Sequence, residues 1–86
     1  MYGVIGMADD GVLGAERLGA RIKRLRQERG LSQDRLAIDS HIDQSGLSKL
    51  ERGKGRAVGE TPLRRIATVL KTTFEALVAG TDYGTS

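Results

Sequence analysis

The side chains best equipped for chemistry in this 86-residue chain lie between Gln33 and Arg56. They are amides, hydroxyls and cations: Gln33, Gln44, Ser45, Ser48, Lys49, Arg52, Lys54 and Arg56. Amides and hydroxyls both donate and accept hydrogen bonds, and Lys and Arg attract anions. The run Gly53-Lys-Gly-Arg-Ala-Val-Gly59 adds glycines, which let backbone amides come close to a phosphate, with Arg52, Lys54 and Arg56 supplying charge around them. This is binding chemistry. Catalysis would need a base, a nucleophile constellation or metal-binding carboxylates brought into one cleft. The 11 acidic residues are scattered, mostly onto exposed helical faces and caps, and Gly53-Lys-Gly is far too short for a nucleotide-binding P-loop. One histidine and no cysteine make a poor ligand set for a metal. We therefore expect no enzymatic activity, no metal and no cofactor.

The elements that must position these groups are short helices. Gln33 to Arg52 reads as two of them joined by a tight turn: Leu36 and Ala37 give the first an apolar face, and Leu47 and Leu50 give the second one. Asp39-Ser40-His41 interrupts the pattern, and Asp43 is a preferred N-cap. A small Ala37 facing the second helix lets the two backbones cross closely. This is what a helix-turn-helix requires, with its second helix free to enter a DNA major groove.

Upstream, residues 15–29 show a helical period with Leu18, Ile22 and Leu25 on one face. Arg17, Arg21, Lys23, Arg24 and Arg29 read as a solvated face, while Arg26 lies near the apolar edge and suggests a structural partner. Gly30-Leu31 looks like a glycine C-cap with its hydrophobic contact, and Ser32 caps the next helix, which places Gln33 in its first turn. Downstream, Thr61-Pro62 predicts a helix with Thr61 as N-cap and Pro62 at the first position, carrying the stripe Leu63, Ile66, Ala67 and Leu70. Thr73 caps a last short helix with Phe74, Leu77 and Val78 inward, and Gly80 ends it. Residues 1–14, with four glycines and no steady period, and residues 81–86 read as tails around a domain spanning 15–80.

Composition bounds the partners. A net charge of +3 admits nucleic acid without demanding it. Without cysteine neither disulfides nor thiolate-bound zinc can reinforce so small a core, so helix packing, helped by a second subunit, must suffice. No apolar run is long enough to span a membrane, and a cytoplasmic location is the expectation.

Residues 18–78 resemble the lambda-repressor/Cro family of helix-turn-helix domains, also called the XRE type. The signature is Leu18-Gly-x-x-Ile22-x-x-Leu25-Arg26, then Gly30-Leu31-Ser32-Gln33-x-x-Leu36-Ala37. It continues through Ile42, Leu47-Ser48-x-Leu50-Glu51-Arg52-Gly53-Lys54 and Leu63-x-x-Ile66-Ala67-x-x-Leu70 to Leu77. The resemblance implies an all-α, compact bundle of about five short helices, with helices 2 and 3 forming the helix-turn-helix. It implies that Gln33, at a helix N-terminus, donates to a backbone phosphate. Gln44 and Ser45 then occupy the turn that reaches base edges, Gln44 pairing in bidentate fashion with adenine and Ser45 bonding to several bases. Lys49, on nearly the same face, reaches a guanine or a phosphate, and Ser48 a backbone group or phosphate. Arg52, Lys54 and Arg56 hold the phosphates flanking the groove. Family members also pair the equivalents of Arg26 and Glu51, which implies a partly buried ion pair locking the first helix to the recognition helix.

The chain departs from the family at several points. His41 stands where glycine is usual in a left-handed turn, a conformation His tolerates better than branched residues do. Gly46, inside the recognition helix, costs ~1 kcal/mol of helix propensity relative to alanine. Asp43 brings a negative charge near the phosphates, and the Gly53–Glu60 loop lacks the proline often found there.

The expected function is a sequence-specific regulator of transcription, a repressor that binds a short palindrome of double-stranded DNA as a homodimer. Its dimer contact is expected on the last helix, through Phe74, Leu77, Val78 and Tyr83. The alternative is an antitoxin or other interaction module that binds a protein partner, such as a toxin or RNA polymerase, while autoregulating its operon. Only residues 1–14 and 81–86 are left for such a partner, so DNA regulation is preferred.

Overall fold

The computed structural model describes residues 17–53 and 59–83. Its regular elements are α1 Leu18–Glu28, α2 Gln33–Asp39, α3 Gln44–Glu51, α4 Glu60–Val69 and α5 Phe74–Val78. The all-α bundle of about five short helices is therefore present, with α2 and α3 as the helix-turn-helix. α1 packs on α3 and α5, α2 on α3 and α4, and α4 on α5.

One apolar cluster holds these contacts together. Leu18 and Ile22 of α1, Leu36 and Ala37 of α2, Leu47 and Leu50 of α3, Leu63, Ile66 and Ala67 of α4, Leu70 and Leu77 are all buried in it. Burying a Leu or Ile side chain stabilises by ~1.5–3 kcal/mol. That is the source of fold stability in helices too short to persist alone. Leu25, Leu31, Ile42, Phe74, Val78 and Tyr83 close the cluster from its edge, each partly buried.

Local signals start and stop the helices. The side chains of Ser32, Asp43 and Thr73 accept from the backbone N–H groups of Arg35, Gly46 and Ala76, so three of the four predicted N-caps form. The predicted glycine C-cap is a full Schellman motif: Gly30, at φ 70°, donates to Gln27 O and Leu31 to Arg26 O, both at 3.0 Å. The turn between α2 and α3 repeats it with His41 in the glycine position at φ 58°. There His41 donates to Ile38 O at 3.1 Å and Ile42 to Ala37 O at 3.0 Å. A third copy ends α4, with Lys71 at φ 61°.

Four expectations need correction. α4 begins at Glu60 with Gly59 as its N-cap, so Thr61 is not the cap and Pro62 is the third residue. Proline is tolerated there because first-turn N–H groups have no intrahelical partner. Glu60 adds a favourable charge at the helix start and pairs with Arg64 at 2.5 Å. Residues 81–83, expected to belong to a polar tail, pack against the domain. Thr81 is buried, the Asp82 carboxylate accepts from the Leu18 N–H at 2.8 Å, and the Tyr83 ring stands edge-on to Phe74 with centroids 5.9 Å apart. Arg21, read as a solvated cation, donates to Ala76 O at 3.1 Å and to Ala79 O, capping the carbonyl end of α5. Asp82 and Arg21 thus tie the two ends of the described chain together. Finally, Leu77 is fully buried in its own core and cannot join a dimer contact. The expected tail at residues 1–14 lies outside the described residues.

Candidate nucleic-acid interface

Building the site starts with what immobilises α3. Gly19 of α1 lies against its C-terminal half, where an added Cβ would stand 1.8 Å from Leu50 O and 2.9 Å from Glu51 Cα. Only a residue without a side chain allows that crossing. Beside it, Arg26 grips Glu51 with two parallel bonds, Nε to Oε2 at 2.8 Å and Nη2 to Oε1 at 3.0 Å. The side chains are 11% and 3% exposed, and the third guanidinium nitrogen donates to Leu31 O at 2.9 Å. The expected ion pair is present and links α1, the α1–α2 turn and α3. Fork-to-fork geometry makes it both strong and directional.

From that anchor a chain of amides runs to the surface. Gln33, in the first turn of α2, donates from Nε2 to Glu51 Oε1 at 3.1 Å. Its own Oε1 accepts from Gln44 Nε2 at 3.4 Å. The amide of Gln44 is therefore oriented from behind, and its oxygen and second hydrogen have no partner among the described residues. Gln44 itself is exposed.

Asp43 organises the same turn. Its carboxylate accepts from the Ser45 hydroxyl and, at 3.3 Å, from the Gly46 N–H. The Ser45 hydroxyl first, and then the Gly46 N–H, hold the Asp43 carboxyl below the ordinary carboxylate range. Hydrogen bonds of this kind stabilise the charged form, so the cap stays ionised near neutral pH. The hydroxyl expected to read bases is thus engaged by Asp43 in the free protein.

Beyond this turn, Ser48 is half-buried, and Lys49 and Arg52 are exposed along α3, which Gly53 ends at φ 83°. Gln44 and Arg52 are eight residues apart, about 12 Å along a helix axis. The structure therefore puts amide groups at one end of α3 and cations toward the other. Lys54 and Arg56 lie outside the described residues. Elsewhere basic side chains meet acids four residues away: Arg24–Glu28, Arg35–Asp39 and Arg64–Glu60. Arg65 instead donates to Ser40 O at 2.7 Å, bracing the end of α2. Lys49 and Arg52 make no ion pair among the described residues, which leaves their charge available to an anion.

Two parts of this site were missed in the sequence. Gly19 shares its face with Ile22 and Arg26 at i, i+3 and i+7, and that spacing marks it as a buried-face residue. The bond from Gln33 to Glu51 had no such signal. Among the described residues no three His, Asp or Glu side chains come together as a metal site, and no helix is long and apolar enough to cross a membrane.

Comparison with known proteins agrees with this fold. Residues 17–79 match the family model described as a helix-turn-helix domain. The HTH-type transcriptional repressor RghR of Bacillus subtilis (strain 168) is 31% identical over 68 residues, covering 79% of this chain and 50% of the repressor. The chain thus spans about half the length of the curated relatives it matches. Among solved structures, the master regulator for biofilm formation SinR in complex with DNA superposes with a TM-score of 0.68 at 31% identity, over 71% of this chain and 97% of that one. The SinR–SinI protein complex gives 0.69 at 31% identity, over 72% and 60%.

Proposed function

The chain belongs to the helix-turn-helix domain family, of the lambda-repressor/Cro or XRE type, and from that premise we propose that it is a cytoplasmic, non-enzymatic transcriptional repressor. It acts as a dimer that lays α3 into the major groove of a short palindromic operator. The observation that carries this reading is the exposed amide of Gln44, held from behind by Gln33, Glu51 and Arg26. Its open oxygen and amide hydrogen are the acceptor and donor that the N6 and N7 edge of adenine requires. Pre-orientation lowers the entropy lost when such a contact forms.

The remaining roles follow from position. Ser45 reads an adjoining base, exchanging its bond to Asp43 for one to DNA. Lys49 reaches a guanine or phosphate, and Ser48 contacts a backbone group. Arg52, Lys54 and Arg56 hold phosphates beside the groove. Gln33 adds a phosphate contact at the start of α2, where its first-turn N–H has no intrahelical partner. A single module touches few base pairs, so two copies on half-sites a helical turn apart supply affinity and specificity together. Phe74 and Val78 on α5 and Tyr83 beyond it, all half-buried, are the residues of the expected dimer contact that stay accessible.

A second reading, binding to a protein partner, is favoured by one finding: SinR was solved in complex with the SinI protein. The two readings separate in a fluorescence anisotropy titration. DNA from upstream of the protein's own coding region would be compared with scrambled DNA of equal length at two salt concentrations. Tight, discriminating binding that weakens with salt is the expected result. Weak binding without preference would overturn the operator reading and move the search to a partner protein, such as a toxin or RNA polymerase.

A further inference from the structure

Arg17 precedes α1 and was grouped by sequence with the solvated cations, but the fold carries it to the end of α3. Its guanidinium lies over Gly53: a Cβ built there would meet Arg17 Nη1 at 2.6 Å, Cδ at 3.6 Å and Cζ at 3.8 Å. The missing side chain of Gly53 leaves the space that the guanidinium occupies. Its backbone is fixed from two sides. Gly19, two residues on, is wedged against Leu50 O, and the Leu18 N–H is held by Asp82.

The electrostatics leave its charge available. Arg24, Arg26, Arg35 and Arg64 each face an acid within 3.4 Å. Arg17 is exposed and, among the described residues, makes no ion pair and no side-chain hydrogen bond. Gly53, which it covers, directly follows Arg52, another exposed cation and the C-cap of α3. Two arginines with no ion pair among the described residues, one preceding α1 and one capping α3, are thus found at the C-terminal end of the proposed recognition helix. A capping role toward α3 would show as bonds to its last carbonyls, and Arg17 makes none.

We propose that Arg17 is a further phosphate-contacting residue, clamping the DNA backbone with Arg52 where the recognition helix ends. The proposal rests on the DNA-binding reading above. Its ligand is a backbone phosphate, so the contact carries no sequence information.

The test uses the full chain and a duplex of arbitrary sequence, about 20 base pairs long, two helical turns. Affinity is measured over a fourfold range of salt for the wild type, Arg17→Gln and Arg17→Lys, with thermal melts of each. Arg17→Gln is expected to reduce the salt slope by about one, so its deficit relative to wild type shrinks about 3-fold across that range. Its melting temperature stays unchanged, and Arg17→Lys keeps most of the slope. An unchanged slope in Arg17→Gln would overturn the proposal, and a lowered melting temperature with that unchanged slope would assign Arg17 to holding α3. A wild type that shows no salt-dependent binding would overturn the DNA-binding reading and Arg17 with it.

Discussion

The two halves of α3 are built on opposite terms, and its two neighbouring glycine sites display the contrast. At the C-terminal half, Leu50 and Glu51 are buried, and Gly19 of α1 fits because nothing larger can: a Cβ would lie 1.8 Å from Leu50 O. At the N-terminal turn, Gly46 is exposed and an added Cβ would find only Asp43 Cβ, at 4.0 Å. One glycine is demanded by the protein's own core and the other is not. The difference shows how a reading helix can be rigid and still available. It is gripped at the end that faces the core, while the end proposed to meet DNA is held by polar bonds that another partner can replace.

Breaking the buried end should have the largest effect. Arg26→Ala leaves Glu51, 3% exposed, without its guanidinium. A stability loss of ~3–5 kcal/mol is expected, because a buried charge stripped of its partner costs far more than the pair contributes. Urea unfolding would read it, and an unchanged midpoint would remove the ion pair from the anchor. Gly19→Ala comes next, at about 3 kcal/mol, the upper part of the usual range for overpacking. Here α1 and α3 must move apart, so DNA affinity should fall together with the melting temperature. If calorimetry finds this variant as stable as wild type, the backbone crossing is not what fixes α3.

Substitutions at the open end should leave stability nearly intact and move recognition. Gln44→Ala is expected to lose ~1–3 kcal/mol of discrimination at one base pair, the usual value of a bidentate contact. A panel of single-substitution operators would detect it, and unchanged preferences at every position would take Gln44 out of the readout. The smallest effect sharpens the comparison most. Gly46→Ala should stabilise the free protein by about 1 kcal/mol, since alanine is the better helix former and its methyl meets only Asp43 Cβ, at van der Waals distance. If the same variant binds its operator more weakly, the glycine serves close approach to DNA. Equal binding with higher stability would show that Gly46 serves neither partner.

Much of the fold was legible in the residues. The stripes of Leu36–Ala37, Leu47–Leu50 and Leu63–Ile66–Ala67–Leu70 place α2, α3 and α4, and all of these residues are buried. Ser32, Asp43, Thr73 and Gly30 mark helix ends because their bonds span only three or four residues. The family resemblance supplied the partnership of Arg26 and Glu51, which no local pattern shows. The start of α4 was misread because Thr61-Pro62 imitates a cap, whereas Gly59 contributes only its backbone.

The candidate site divides along the same line. Its residue types, and their assignment to the exposed side of a second short helix, come from the sequence alone, through helical periodicity and the resemblance it carries. What sits behind them was decided by the tertiary structure. Gln33 reaches Glu51 across 18 residues, Gln44 reaches Gln33 across 11, and Asp82 caps α1 across 64. The placement of Arg17 on Gly53 and of Gly19 on Leu50 belongs to the same group. Sequence periodicity reports which side of a helix is apolar, because that depends on neighbours three and four residues away. It does not report how far one helix slides or rotates against another. Those two quantities emerge only when the helices compete to bury their stripes in one core, and they set which polar groups meet.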